Sequence, residues 1–255
     1  MGAQKYRFLK RRWKLAAVLV LPVAVIAAFV LWASIIPEPL PEALRALQSD
    51  EQITVDTTHW VVFRPAGQAP AAGLIFYPGG RVDYRAYAPA ARAIADAGYL
   101  VVIVPMPLNL AVLAPDRALR VQEAFPQVPR WVIGGHSLGG AMAARFAFKH
   151  PEHVHGVVLW ASYPPGSANL TNSSFPVISI SGTRDGLATP EKIAASRALL
   201  PSATRWVKIE GGNHAQFGWY GDQPGDNAAL ISREEQQACV VAATIELMRA
   251  AAKAP

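Results

Sequence analysis

Three residues in the C-terminal half of the chain have the types and spacing for nucleophilic chemistry. Gly135-His136-Ser137-Leu138-Gly139 sets a serine between two glycines in a G-x-S-x-G pattern. It follows the apolar run Arg130–Gly134 and opens the helix-like stretch Leu138–His150. A strand, a sharp turn and a helix in that order hold a serine hydroxyl clear of a sheet. Side chains two positions either side would collide where strand and helix approach, so glycine fits both places. The competing reading is a glycine-rich helix entry whose serine only caps the helix.

A serine hydroxyl is a poor nucleophile until a base takes its proton. Of the six histidines, His214 is the candidate base. It ends Gly211-Gly212-Asn213-His214, just past the run Arg205–Ile209, in a loop able to carry an imidazole over the serine. His59 precedes an edge strand. The side chain of His136 is expected to point away from Ser137. His150, His153 and His155 cluster, but His150 ends a helix, where a cation is favoured. They read as a helix end and a strand start, and no metal site is expected. Asp185 follows the run Val177–Ser181, where a carboxylate can fix the imidazole tautomer and stabilise the imidazolium. The bland alternative is an Asp-Gly turn. Asp222 and Asp226 come after the histidine and are weaker candidates for the acid.

A carbonyl under attack gains negative charge and needs N–H donors already in place. The N–H of Leu138 is one such donor. The second is expected from Tyr77-Pro78-Gly79-Gly80-Arg81, with Gly80 first choice and Gly79 or Arg81 its neighbours. Met106, Leu108, Tyr163, Phe217 and Trp219 are candidate walls of an apolar substrate pocket, although for any single one of them plain core packing is the better explanation.

These residues need a scaffold. Ile53–Val55 and Trp60–Phe63 read as an opening antiparallel pair. Gly73–Tyr77, Leu100–Val104, Arg130–Gly134, Val154–Trp160, Val177–Ser181 and Arg205–Ile209 read as further strands. Tyr84–Ala97, Arg117–Phe125, Leu138–His150, Pro190–Leu200 and Glu234–Ala251 read as helices. Strand–helix alternation predicts an α/β fold, a mostly parallel eight-stranded sheet with helices on both faces. Ligands then bind at the carboxyl ends of the strands, where every candidate above falls. The short link between Trp160 and Val177 leaves no room for a large cap domain. Cys239, the one cysteine, lies among apolar neighbours and reads as a small core residue.

The N-terminus reads differently. Lys5, Arg7, Lys10, Arg11, Arg12 and Lys14 form a basic tip, residues 1–14, without an acid. With those six set aside, basic and acidic residues balance, so the net charge of +6 is no sign of nucleic-acid binding. Leu15–Ile36 is free of charge and as a helix reaches ~33 Å, enough for a ~30 Å hydrocarbon core. The segment predicts a transmembrane signal anchor over 15–36, with the N-terminus cytoplasmic and the body extracytoplasmic. It is long for a cleaved signal peptide. A proline-rich spacer and short helix over 37–51 and a catalytic domain over 52–255 complete the expected organisation.

On the segments Leu74–Gly80, Gly98–Pro105, Val132–Gly140, His150–Leu159, Pro176–Asp185 and Gly211–His214, the chain resembles the α/β-hydrolase superfamily. It is most similar to the small bacterial esterases and dienelactone-hydrolase-like members. The order Ser137, Asp185, His214 is the order of that superfamily. Its oxyanion loop usually opens with His-Gly, where this chain has Pro78-Gly79. The resemblance implies a serine hydrolase acting on a small carboxylic ester or related acyl substrate, without metal or organic cofactor. The alternatives are a lipase, thioesterase or peptidase with the same three residues, and a non-catalytic, membrane-displayed binding domain.

Overall fold

The computed structural model of the chain describes residues 21–67 and 69–253. These divide into two compact units, one ending at Ile36 and the other beginning at Pro37. In the first unit residues 21–34 form a helix, α1. Its Leu21, Val23, Ile26 and Leu31 side chains are exposed. Residues 15–20 of the expected anchor lie outside the described residues. Among the described residues, no helix is long and apolar enough to cross a membrane.

The second unit opens with α2, Pro41–Arg45. Ala43 is fully buried, and Leu40 N–H donates to the Trp219 carbonyl at 2.8 Å. Arg92 donates to the Ala46 carbonyl at 2.9 Å and to Asp50 at 2.7 Å. Residues 37–51 are therefore no free spacer. The folded body starts at Pro37 rather than near Gln52, because a small residue and a guanidinium that also donates to the Gln48 carbonyl dock this segment.

Eight strands follow: β1 Ile53–Asp56, β2 Val61–Pro65, β3 Gly73–Tyr77, β4 Leu100–Ile103, β5 Trp131–His136, β6 Gly156–Trp160, β7 Val177–Gly182 and β8 Arg205–Ile209. They form one sheet in the order β1-β2-β4-β3-β5-β6-β7-β8. β2 is antiparallel to both of its neighbours, and every pair from β4 to β8 is parallel. The helices α3 Ala88–Asp96, α4 Arg117–Ala124, α5 Leu138–Lys149, α6 Pro190–Ala195 and α7 Arg233–Lys253 complete the layers. Strands β3, β4, β5, β6 and β7 are buried along their whole length, as strands covered on both faces must be. Val132 points into the core that holds Ile94 of α3 and Leu247 of α7. Its neighbour Ile133 points into the opposite core, with Val121 of α4 and Phe146 of α5.

Element boundaries depart from the sequence expectation for local reasons. The helix expected over Tyr84–Ala97 begins as a 3-10 turn, Tyr84–Tyr87, and becomes α-helical only at Ala88. Pro89 has no N–H to give the Arg85 carbonyl, so the first turn tightens. β5 continues two residues beyond Gly134, because Gly135 and His136 still pair with Leu159 and Trp160 of β6. Cys239 is exposed. Gln236, Val240, Ala243 and Leu247 form the buried stripe of α7 at helical spacing, and position 239 falls on its solvent side.

The chain leaves β3 for β4 on one side and returns with β5 on the other. This reversal opens a crevice at the carboxyl ends of β3 and β5. Pro78 to Arg81 leave one lip and Ser137 the other.

Candidate active site

Backbone strain concentrates at this edge. Among the described residues, the non-glycine positions with positive φ are Arg81, Leu108, Asn109, Ser137 and Ala161. They follow β3, β4, β5 and β6, four strands adjacent in the sheet. Each such residue carries roughly 1–3 kcal/mol of strain, which persists only where the surroundings over-determine it.

Ser137 has φ 52° and ψ −122°. Its N–H donates to the Trp160 carbonyl at 3.0 Å, and its carbonyl accepts from Ser162 Oγ at 2.6 Å and Ala141 N–H at 3.1 Å. The glycines do what their spacing suggested. A Cβ on Gly135 would lie 2.6 Å from the Tyr77 carbonyl oxygen. One on Gly139 would lie 2.1 Å from the Tyr77 oxygen and 2.3 Å from the Pro78 oxygen. Backbone atoms cannot yield as a side-chain tip can. Gly139→Ala should therefore lower stability by about 3 kcal/mol, measured by urea unfolding against the parent chain.

The loop after β3 separates the three possible donors. Gly79 N–H donates to Tyr87 Oη at 2.9 Å, and Arg81 N–H to the Asn109 carbonyl at 2.9 Å. The Gly80 N–H has no partner among the described residues, and neither has the Leu138 N–H at the first position of α5. A Cβ on Gly80 would stand 3.0 Å from Leu138 Cδ2, so the two free N–H groups belong to neighbouring residues in space.

His214 Nδ1 lies 2.8 Å from Asp185 Oδ2, and both side chains are buried. A carboxylate only accepts, so Nδ1 carries the proton and Nε2 the lone pair. Nε2 is buried and has no hydrogen-bond partner among the described residues. The other oxygen, Asp185 Oδ1, accepts from Leu187 N–H at 2.8 Å and Ala188 N–H at 2.7 Å. The loops bearing the pair are stitched together. Arg184 N–H donates to the Gly212 carbonyl at 2.8 Å, and Gly211 N–H to Thr183 Oγ1 at 2.9 Å.

The carboxylate that meets His214 is Asp185, while Asp226 ties two loops together. Its Oδ1 accepts from Gly186 N–H at 3.0 Å and its Oδ2 from Ala215 N–H at 2.8 Å. It thus joins the residue after Asp185 to the residue after His214. Asp226→Ala leaves both N–H groups without their charged acceptor and should lower stability by about 2 kcal/mol, read from the shift in urea midpoint.

The structure also sorts the candidate pocket residues. Leu108 and Tyr163 are partly exposed at the carboxyl edge, and Met106 is buried beside it. Phe217 is fully buried and stacks against the His136 ring at 5.6 Å with an interplanar angle of 12°. Trp219 is buried, with the Arg233 guanidinium 5.8 Å from its ring. Phe217 ends the 3-10 turn Ala215–Phe217 that follows His214, and Trp219 lies two residues further along the same loop. Arg233 donates to the carbonyls of Ala215 and Gly218 in the same loop.

The sequence points the His136 side chain away from Ser137, and its ring centroid lies 4.5 Å from that of His214. Its Nδ1 meets Tyr87 Oη at 2.9 Å. No spacing rule reveals contacts between residues so far apart in the chain. Among the described residues, no group of three or more His, Cys, Asp or Glu side chains is arranged to hold a metal ion.

The sequence profile described as "Alpha/beta hydrolase family" matches residues 73–238. No curated protein matches the chain. Several solved structures share its fold at low identity. A dienelactone hydrolase from Anabaena variabilis has a TM-score of 0.56 and 18% identity, covering 78% of this chain and 98% of its own. The esterase domain of a Rhodothermus marinus protein has a TM-score of 0.56 and 16% identity, covering 74% and 92%. A predicted CIB-like hydrolase from Thermoplasma acidophilum has a TM-score of 0.55 and 17% identity, covering 78% and 97%. With the profile spanning most of the folded body, and the fold agreeing, this chain belongs to the alpha/beta hydrolase family.

Proposed function

We propose that the chain is a serine hydrolase that cleaves a carboxylic ester or related acyl compound through an acyl-enzyme on Ser137. The observation that carries this reading is the buried Asp185–His214 pair, whose Nε2 keeps a free lone pair at the edge where Ser137 is held in a strained turn. In this mechanism Ser137 Oγ attacks the acyl carbon while its proton passes to His214 Nε2. The carbonyl oxygen becomes an oxyanion facing the N–H groups of Gly80 and Leu138. The imidazolium, steadied by Asp185, returns the proton to the leaving alcohol. Water then repeats the sequence on the acyl-enzyme and frees the acid. Every step uses groups of this chain, substrate and water.

We further infer that residues 15–36 tether the hydrolase to a membrane, with the basic tip cytoplasmic. The charge-free run, its six flanking cations and the exposed apolar side chains of α1 support this.

The test is labelling of the full-length chain with a fluorophosphonate, beside Ser137→Ala and His214→Ala. Labelling of the parent and of neither variant is the expected result. A folded parent that takes no label would overturn the hydrolase reading in favour of a binding domain.

A further inference from the structure

Resting on the hydrolase reading above, we propose that Tyr87 and His136 are positioning residues for the oxyanion loop, acting through the chain Gly79 N–H to Tyr87 Oη–H to His136 Nδ1. Two hydrogen bonds define this chain. Gly79 N–H meets Tyr87 Oη at 2.9 Å, and Tyr87 Oη meets His136 Nδ1 at 2.9 Å.

The direction of each bond follows from proton counting. A backbone N–H only donates, so Tyr87 Oη accepts from Gly79. The phenol has one proton of its own. Burial pushes the Tyr87 phenol well above the ordinary tyrosine range, with the Gly79 N–H pulling weakly the other way, so that proton stays on. Were His136 Nδ1 also a donor, the phenolic oxygen would receive two N–H groups while its own proton had no acceptor. With Tyr87 donating to Nδ1, the phenol both accepts from Gly79 and finds an acceptor for its own proton. His136 is then neutral and carries its proton on Nε2. Burial, and next the His214 ring, hold His136 well below the ordinary histidine range, while the His214 main chain opposes them weakly. An imidazolium at His136 would also stand 4.5 Å from the one that forms on His214 during reaction, and would oppose it.

The consequence for the loop is geometric. With Gly79 N–H held by Tyr87, the backbone that carries the unpaired Gly80 N–H is restrained beside Leu138. A Cβ on Gly79 would lie 2.8 Å from His136 Nδ1 and 2.9 Å from Tyr87 Oη. The loop therefore rests directly on the pair, and only glycine allows that approach. The pair itself is fixed by rings. Phe76 lies 5.0 Å from Tyr87, and Phe217 stacks on His136. In this chain Pro78 stands where the resembling family carries histidine, and the side chains that brace the loop come from Tyr87 and His136 instead.

The experiment compares full-length parent, Tyr87→Phe, His136→Leu and His136→Asn on a 4-nitrophenyl ester. Fluorophosphonate labelling and the 15N NMR tautomer of His136 in the parent are recorded alongside. Tyr87→Phe deletes one oxygen and keeps the ring. It should lower kcat by about 10- to 100-fold with KM little changed, since a displaced donor loses transition-state rather than substrate binding. His136→Leu should fall equally. His136→Asn keeps an acceptor near the Nδ1 position and should recover most of kcat. The parent His136 should be neutral with its proton on Nε2. An active parent with Tyr87→Phe at full kcat, His136→Asn as slow as His136→Leu, or a proton on Nδ1 would overturn the proposal and leave the hydrolase reading intact. A parent that neither labels nor hydrolyses would sink both.

Discussion

His214→Ala should lower kcat/KM by about 10^6-fold, and adding Ser137→Ala to it should lower the rate hardly further. On the proposed mechanism the serine proton has a single route. Asp185 occupies Nδ1 of His214, so only Nε2 can receive it. Without that acceptor Ser137 Oγ stays an ordinary alcohol, and deleting a hydroxyl that no longer reacts removes nothing more. The Gly80 and Leu138 donors would survive both substitutions, leaving roughly a 10^3-fold advantage over uncatalysed hydrolysis. The measurement is kcat/KM for the two single variants and the double on one ester. Multiplicative losses would show that the two side chains act independently, and the mechanism would have to be abandoned.

How far this site could be read before the fold was known depends on the range of each constraint. The G-x-S-x-G spacing is local. Gly139 must clear the Tyr77 and Pro78 carbonyls, and that steric demand leaves its mark within five residues. The parallel strands were equally legible, because burial on both faces writes continuous apolar runs such as Leu74 to Tyr77. What escaped were contacts made only by folding. Tyr87 and His136 are far apart in the chain; Tyr87 lies in no motif, and His136 fills a variable position of G-x-S-x-G. Asp226 could be seen only as a spare carboxylate until its two oxygens were found on Gly186 and Ala215. The stacking of Phe217 on His136 was equally hidden, because an aromatic residue in a loop carries no sign of which side it faces. Residues 37–51 looked like a linker because their proline content outweighed one small residue, Ala43, that turned out to be buried.

Polar contacts also explain how strain is kept at the carboxyl edge of the sheet. Ser162 holds the carbonyl of strained Ser137, the Asn109 carbonyl holds strained Arg81, and Arg233 holds the loop beyond His214. None of these braces needs to touch substrate. Each restricts a segment of that edge, and on the proposed mechanism the edge is arranged before substrate arrives.

Asp185→Asn gives the sharpest expectation for that arrangement. Asp185 Oδ1 receives two N–H donors, from Leu187 and Ala188. The amide of an asparagine must therefore place its carbonyl oxygen there, since its NH2 would set donors against donors in a buried turn. The NH2 then falls where Oδ2 now stands, 2.8 Å from His214 Nδ1. An NH2 donates, so Nδ1 must accept, and neutral His214 carries its proton on Nε2. That tautomer cannot take the proton of Ser137. The turn keeps its acceptor and the fold should be little disturbed, yet kcat should fall by about 10^4-fold near neutral pH. Two readouts check this together: the ester hydrolysis rate, and the 15N shifts of His214, whose proton should move from Nδ1 to Nε2. A variant retaining kcat within tenfold, or one whose His214 keeps the proton on Nδ1, would mean that Asp185 does not set the state of the base.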